Sequence, residues 1–538
     1  AEPDLSGIAV TTGDNGYYFS GGALDHNFMS TLFGSAVKKV THDCKPLMRQ
    51  LLAQGYPADG FIFDTALAAY DLDATQGSYD LDRVVLQQLG FEIGRADPAE
   101  AGEEAARVCA RLAEASAVDA LYGVLPEKLQ KSGMEKLYYE IELPLCQVLA
   151  EMEVAGVKAD QMALISFGSM LQRRIEAAQE TIFNFAGREF NINSTKQLGE
   201  ILFDELKLPA GKKTKSGYST NADVLEKLKG KHPIIEAILD YRAMTKLKST
   251  YADGLVKQIA DDGRIHTTFQ NMVTATGRLS STDPNLQNIP VRTELGSEIR
   301  KMFVPDDGCV FVDADYSQIE LRVLAHIADD KTMQEAFKSG FDIHTATAAQ
   351  VFGVAPEQVT PLMRRHAKAV NFGIVYGISE FSLSEDIGVS RKEARQYIDN
   401  YLAHYAGVRA YMHDIVEQAK KDGYVTTLFG RRRELPELKS SNFNIRSFGE
   451  RVALNTPIQG TAADIIKLAM LRVDAALRKK KLKARLVLQV HDELIVECPL
   501  KEAEQVKQIV TSEMEHVVQL RVPLLADAKS GASWYEAK

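Results

Sequence analysis

The chain has few means of cross-linking itself or holding a soft metal. Its five cysteines, at 44, 109, 146, 309 and 498, are scattered and odd in number, with no Cys-x-x-Cys pair. That excludes a disulfide framework and a zinc knuckle, and it predicts a reducing, cytoplasmic setting. No apolar run reaches the ~18–20 residues that span a bilayer, so no membrane partner is expected. The start, Ala1-Glu2-Pro3-Asp4, has neither the basic nor the apolar segment of a signal peptide. It also lacks a starting Met, which predicts a fragment or a processed chain. Internal repeats and long low-complexity tracts are absent. So is an excess of positive charge: the net charge is −10, which argues against simple coating of a polyanion. Net charge speaks to solubility more than to sites.

What is there is an ordinary globular composition, 45% hydrophobic over 538 residues, enough for roughly three or four domains. The basic residues are uneven. Lys207, Lys212, Lys213, Lys215, Lys227, Lys229 and Lys231 cluster, and Arg431-Arg432-Arg433 follow a glycine. Such runs suit solvated faces and nucleic-acid contacts alike. Short strands are expected at 8–10 and 17–19, around the turn Gly13-Asp14-Asn15-Gly16. Helices are expected over 101–122 and, amphipathic and long, over 134–154, with Gly156 as punctuation. Residues 160–262 read as mostly helical, broken by a Gly- and Lys-rich loop at 209–220. Strand and turn pieces alternate over 264–322, and helices dominate 330–447. One long helix is expected over 448–477, interrupted at Pro457. Alternating Leu486, Leu488 and Val490, then Leu494 and Val496, predict a hairpin over 485–498.

Three constellations carry chemistry. Asp315 ends an apolar strand and Asp492 sits at the hairpin turn. Buried strands hold acids only at a cost, and neighbouring strands lie ~4.8 Å apart. Two such carboxylates suit a metal pair ~3.5–4 Å apart, the spacing of in-line phosphoryl displacement. With no His/Cys cage, Mg²⁺ fits better than Zn²⁺. Singly, an acid at a strand end is more often a cap. Arg364, Lys368, Phe372 and Tyr376 recur every four residues and form one stripe of a helix. Two cations and two rings suit a nucleoside triphosphate; an amphipathic helix with a snorkelling basic end reads equally well. Arg451, Asn455 and Gln459 repeat that spacing before Gly460. Their amides suit base edges in a minor groove, and helix capping or core hydrogen bonds equally.

Together these segments resemble the bacterial family A DNA polymerases. Asp315-Tyr316-Ser317-Gln318-Ile319-Glu320-Leu321-Arg322 resembles the family's motif A. Arg364, Lys368 and Asn371-Phe372-Gly373-Ile374-Val375-Tyr376-Gly377 resemble motif B, and Val490-His491-Asp492-Glu493 resembles motif C. Thr274 to Ser281, Asp283 to Asn288 and Thr456 to Asp464 fall in family order between or before them. The resemblance covers residues ~130–538 closely and the N-terminal part loosely.

It implies a multidomain α/β and α+β chain: a right-hand polymerase behind an N-terminal RNase H-like exonuclease-type domain. The implied limits are 1–128 for that domain, 129–263 for the thumb and connecting helices, 264–322 and 448–538 for the palm, and 323–447 for the fingers. The family implies a monomer acting on primer-template DNA and dNTPs near the bacterial nucleoid, in repair and replication. Two Mg²⁺ ions, with Mn²⁺ as a substitute, are expected on Asp315 and Asp492, with Glu493 supporting. Arg364, Lys368 and His344 should hold the phosphates, Lys368 protonating the leaving group. Glu320, paired with Tyr376, should exclude a ribose 2′-hydroxyl, with Tyr316, Gln318 and Phe372 completing the nucleotide pocket. The lack of a hydroxyl on Phe372 implies discrimination against dideoxynucleotides. Thr274, Arg278, Asn285, Gln287, Arg451, Asn455, Gln459 and His491 should line the minor groove, where acceptors are nearly alike for all pairs. The insert at 209–220 resembles the tip of the thumb.

The N-terminal part departs from the family's proofreading pattern. The chain starts beyond the strand that would carry its Asp-x-Glu pair, Leu47 stands where a second motif ends in Asp, and no Tyr-x-x-x-Asp falls near 112–116. Asp43, Asp64 and Asp119 are the acids left as candidates. The expectation is a retained scaffold without nuclease chemistry. An exonuclease would degrade labelled single strands with Mg²⁺. A non-catalytic DNA-binding protein would extend no primer. A single-subunit RNA polymerase is disfavoured by Glu320 and by Phe372 with Tyr376.

Overall fold

The computed structural model describes residues 5–210, 217–291 and 293–538. Lys212, Lys213 and Lys215 of the expected thumb tip lie outside them. At its centre is a four-stranded sheet in the order Arg485–Val490, Glu493–Pro499, Cys309–Tyr316, Ala526–Gly531, with every neighbouring pair antiparallel. Period-two alternation decides which side chains face which way. Val312, Ala314 and Tyr316 are buried, and the Tyr316 hydroxyl donates to the Met514 carbonyl of the helix Ala503–Glu515 at 2.7 Å. Asp313 and Asp315 therefore point to the other face. In register, Asp315 lies opposite Glu493 on one side and Asp527 on the other.

Behind the sheet runs one helix of 37 residues, Phe443–Lys479, with Pro457 inside it. The expected interruption at Pro457 is absent. A proline removes a single ladder donor, whereas this stretch buries Thr456, Pro457, Ile458, Gly460 and Thr461 in succession. Tertiary packing on both sides outweighs the lost bond.

The segment expected as one helix over 134–154 is built in three pieces. Glu135–Leu137 leads into a π-turn, Tyr138–Glu142, and then Leu143–Ala155. The Leu143 N–H bonds the Tyr138 carbonyl five residues back, one residue before Pro144, whose ring nitrogen has no hydrogen to offer. The segment is apolar nearly all round rather than striped. Tyr138, Cys146 and Ala150 pack into the N-terminal core, while Leu145, Leu149 and Met152 pack into the main one.

The N-terminal part opens with the expected hairpin, Gly7–Thr12 and Asn15–Ser20. Its turn is tighter than expected, because Thr12 already pairs with Asn15. A short parallel pair, Lys39–Thr41 and Phe61–Asp64, follows, and the helix Glu103–Tyr122 covers the hairpin. The next helices include Gln161–Ala186 packed on Pro233–Lys246. Between the strand Cys309–Tyr316 and the long helix lies a helical array containing Ile343–Phe352 and Pro361–Val375. A short hairpin, Tyr424–Thr426 with Arg432–Glu434, closes that array and was not expected. No helix among the described residues is long and apolar enough to cross a membrane.

Candidate active site

The turn between the two hairpin strands has only two residues, His491 and Asp492. His491 takes the left-handed conformation, φ 57°, as a tight hairpin turn requires. This bends the chain so that the Tyr316 N–H reaches the Asp492 carbonyl at 3.1 Å. Asp315 and Asp492 are thus brought side by side from 177 residues apart in sequence, 492 less 315. Burial pushes the Asp492 carboxyl up to about 7; Glu320 and Asp315 add to this and Arg278 opposes it. Burial also raises Asp315, against the pull of Lys538.

Asp313, Arg300, Trp534 and Lys538 also belong to this cluster, around the expected Glu493, and were not foreseen. Asp313, two residues before Asp315 on the same face, is pushed up to about 9 by burial and by the neighbouring Glu493. Burial works against charge on Glu493, but a hydrogen bond from Asp313 and the cations Lys538 and Arg300 hold its carboxyl below the ordinary range. The sole tryptophan, Trp534, donates its indole N–H to Glu493 at 2.8 Å, and the Arg300 guanidinium stacks 4.1 Å from its ring. Lys538 bonds Glu493 and lies 3.4 Å from Asp315. The single Trp was a visible signal. Lys538 carried none.

The polypeptide leaves the central strand through Gln318, itself left-handed at φ 54°, into the helix Ile319–Ile327. That turn sets Glu320 near the acids but in a different bonding partnership. Arg278 Nη2 donates to Glu320 Oε1 at 2.6 Å, and the Tyr376 hydroxyl donates to Oε2 at 3.3 Å. Glu320 is almost fully buried. Tyr316, expected in the nucleotide pocket, instead turns its side chain into the core behind the sheet.

On the helix Pro361–Val375, Arg364 and Lys368 are exposed and Phe372 is half-buried. Thr360 caps the helix and Pro361 opens it, where a missing N–H costs nothing. Lys368, Phe372 and Tyr376 line a cleft of about 1290 Å³ that also includes Arg451. Arg364 is engaged by Asp342, through Nε at 3.0 Å and Nη2 at 2.8 Å. His344 is buried. Burial, with Lys368 and Arg364 adding, lowers it to about 4 despite Asp342, so it is neutral near pH 7. A chain of hydrogen bonds orients it: Thr347 donates to Asn371 Oδ1 at 3.2 Å, and Asn371 Nδ2 faces His344 Nδ1 at 3.0 Å. With the Asn371 oxygen already accepting, its amide nitrogen donates, which leaves the imidazole hydrogen on Nε2. Thr347 also meets the Tyr405 hydroxyl at 3.1 Å. Asn371, Thr347 and Tyr405 are supporting residues that spacing alone did not mark.

The expected minor-groove residues divide. Arg278 and His491 lie by the acids, where Arg278 acts on both His491 and Asp492, and Gln459 adjoins Tyr376. Gln287 Nε2 donates to Gln489 Oε1 at 3.0 Å and to its carbonyl at 3.2 Å, beneath the hairpin. Asn285 is exposed and accepts from the Gln287 N–H at 3.0 Å. Asn455 reaches the Val375 carbonyl at 3.4 Å, and Arg451 reaches Ser447 at 3.2 Å. Thr274 donates its hydroxyl to the Arg278 carbonyl at 2.7 Å and so staples a five-residue loop. Arg431 departs from the expected basic surface. It is buried against Asp464 at 2.7 Å, Glu142 and Asp71, and Lys467 bonds Glu142 at 2.7 Å, so that two buried cations pair with three buried acids.

Of the N-terminal acids, Asp64 accepts from the N–H groups of Asp43 (2.9 Å), Cys44 (2.6 Å), Ala66 (2.9 Å) and Leu67 (3.1 Å). Asp119 is exposed on the helix Glu103–Tyr122. Asp43 is pushed up to about 6 by burial and by Asp64. Among the described residues, no group of three or more His, Cys, Asp or Glu could hold a metal with protein ligands alone.

Residues 161–536 match the family model for DNA polymerase family A. The DNA polymerase I of Geobacillus stearothermophilus is 50% identical over 525 residues, covering 96% of this chain and 60% of that protein. The DNA polymerase I of Bacillus subtilis is 52% identical over 512 residues, covering 93% and 58%. This chain therefore spans about 60% of the length of these relatives. A solved structure, the POL domain of Pol1 from M. smegmatis in complex with DNA primer-template and dNTP, superposes with a TM-score of 0.91 at 41% identity. That likeness covers 97% of this chain and 91% of the other. The paired acids of the central sheet, the Arg278–Glu320–Tyr376 contact and the cationic helix stripe all lie within the matched region, and the chain belongs to DNA polymerase family A.

Proposed function

We propose that this chain is a template-directed DNA polymerase that adds deoxynucleotides to a primer 3′ end by two-metal phosphoryl transfer. It works without proofreading, as a cytoplasmic monomer at the nucleoid, in repair and replication. The observation that carries the reading is the side-by-side placement of Asp315, at the end of an interior strand, and Asp492, in the adjoining hairpin turn, with Glu320 of the Arg278–Glu320–Tyr376 contact close enough to act on Asp492. The M. smegmatis relative, solved with primer-template and dNTP, supports the same partners here.

The donor set fits Mg²⁺. Both carboxyls are raised by burial, and a divalent cation would relieve the crowding. Hard oxygens with few protein ligands leave room for water and phosphate. Bound at Asp315 and Asp492, Mg²⁺ supplies activation of the primer hydroxyl and charge neutralisation at the triphosphate; Mn²⁺ is expected to substitute. The chain's own groups do the rest. Glu493 keeps its charge through Lys538, Arg300 and Trp534 and supports the acids from behind. Arg364, Lys368 and the Nε2–H of His344 hold the phosphates, and Lys368 returns a proton to the leaving pyrophosphate. Arg364 leaves Asp342 to do so.

Glu320 is fixed from two sides and excludes a 2′-hydroxyl, while Gln318 and Phe372 bound the sugar. Arg278, His491, Gln459, Asn455, Arg451, Gln287, Asn285 and Thr274 test the minor groove of the primer terminus for pair geometry rather than sequence. The absence of proofreading is supported by Asp64, whose oxygens are committed to main-chain N–H groups, and by the exposed, isolated position of Asp119. The N-terminal part then keeps an exonuclease-type fold as scaffold.

The test is extension of a labelled primer with dNTPs and Mg²⁺, comparing the parent with Asp492→Asn. Extension by the parent and its loss in the variant is the expected result. Equal rates would refute the assignment of Asp492.

A further inference from the structure

Two adjacent residues of the N-terminal helix Thr65–Leu72 reach the polymerase site by separate routes. Both Tyr70 and Asp71 are buried. The Tyr70 hydroxyl donates to the Thr274 carbonyl at 2.8 Å, 204 residues along the chain. That carbonyl also receives the Gly277 N–H at 3.3 Å, while the Thr274 hydroxyl holds the Arg278 carbonyl at 2.7 Å. The loop 274–278 is therefore closed on itself and anchored to the N-terminal part through one phenol.

Asp71 takes the second route. Its carboxylate lies 3.4 Å from Arg431 Nη1. The Arg431 guanidinium packs directly under Gly277, whose φ is +80° and where any Cβ would collide with it. Arg431 is itself fixed by Asp464 and Glu142, and Glu142 by Lys467 at 2.7 Å. The floor of the loop is thus a buried charge cluster to which the N-terminal part contributes one member. At the end of the loop, Arg278 reaches over to Glu320.

We infer that Tyr70 and Asp71 are positioning residues for the sugar-selecting contact: they fix the loop that sets the Arg278 guanidinium on Glu320. An N-terminal unit without nuclease chemistry then contributes to choosing DNA over RNA precursors. This rests on the polymerase reading. It deepens that reading by extending the specificity apparatus into a part of the chain outside residues 161–536.

The test uses the full chain with Tyr70→Phe, which removes one hydroxyl and keeps the ring. The control is Tyr79→Phe. The Tyr79 ring meets Tyr70 edge-on at 5.6 Å, but its hydroxyl bonds the Asp73 carbonyl, not the loop. Two quantities are read: the ratio of kcat/KM for a dNTP to that for the matching rNTP, and amide hydrogen exchange over 272–279. The expected result for Tyr70→Phe is a ratio lowered about three- to tenfold, the scale of one hydrogen bond, with faster loop exchange. Tyr79→Phe should match the parent in both. An unchanged ratio in Tyr70→Phe overturns the inference, whatever the exchange shows. So does an equal fall in Tyr79→Phe, which would mean general loosening. A parent that extended no primer would remove the polymerase reading itself, and loop exchange would still decide whether Tyr70 holds the loop.

Discussion

Arg278 donates to Glu320 at 2.6 Å across the mouth of the site. The carboxylate is almost fully buried and also receives Tyr376, so its position is over-determined. Glu320→Ala is expected to weaken rejection of ribonucleotides by about tenfold or more, the range of a lost shape or polar contact. Some catalytic rate should be lost as well, because Arg278 and Tyr376 lose their common partner. Steady-state comparison of dNTP and rNTP insertion measures this, and unchanged sugar selectivity would remove Glu320 from that role.

Asp492 is held buried beside other carboxylates, at a cost to stability. Its carboxyl is pushed up to about 7 by burial, with neighbouring carboxylates adding to this. Asp492→Asn keeps the shape and removes the charge. The variant should lose primer extension and melt at the same temperature as the parent or higher. Calorimetry without divalent metal checks the second part; a lower melting temperature would contradict it.

His344 gives a pH dependence. Its folded pKa is lowered to about 4, against about 6.5 unfolded. Between those values the unfolded chain binds the extra proton. The stabilisation from a neutral His344 is therefore present above pH 6.5 and is lost as pH falls toward 4. From pH 7 to pH 5 the loss should be about 2 kcal/mol. Urea unfolding followed by amide hydrogen exchange over the helix Ile343–Phe352 at the two pH values should show it in the parent and not in His344→Gln.

The cluster around Arg431 is expected to be intolerant of single deletions. Arg431→Met leaves Asp71, Glu142 and Asp464 buried with only Lys467 among them. Loss of about 3–5 kcal/mol is expected, read as a lowered thermal midpoint. A midpoint within a degree of the parent would mean that water enters the cluster.

Asp64 should matter for folding and not for DNA degradation. It accepts four main-chain N–H groups where a strand hands over to a helix. Asp64→Ala should cost about 2 kcal/mol or more. Parent and variant should both leave labelled single-stranded DNA intact in Mg²⁺. Rapid degradation by the parent, abolished in the variant, would restore a nuclease to the N-terminal part.

Much of the arrangement of the candidate site was legible because side-chain spacing follows element geometry. The alternation 486–490 placed Asp492 at a turn, and the four-residue recurrence from Arg364 to Tyr376 placed those side chains along one helix. What was hidden depends on tertiary contact. Lys538 and Trp534 meet Glu493 only because the chain returns beside the central strand. Asn371 stood within the segment resembling motif B, but nothing in its spacing showed that it sets the imidazole of His344. Pro457 was misleading because local propensity counts one lost hydrogen bond and cannot count the packing around a helix buried on both sides. Arg431 was misleading for the same reason: a run of three arginines looks like surface until one of them finds Asp464, Glu142 and Asp71.

The pairing of Asp315 with Glu493 and Asp527 has a consequence for how this sheet can change. Side chains along a strand alternate, so a slip of one residue would turn Asp313 and Asp315 inward and bring Val312 and Ala314 out. Both flanking strands would have to slip in concert. A substitution within 309–316 alters one side chain and leaves the others on their faces, but an insertion or deletion there exchanges the two faces at a stroke. The chemistry of the site is therefore written as much in the count of residues between two turns as in their identity.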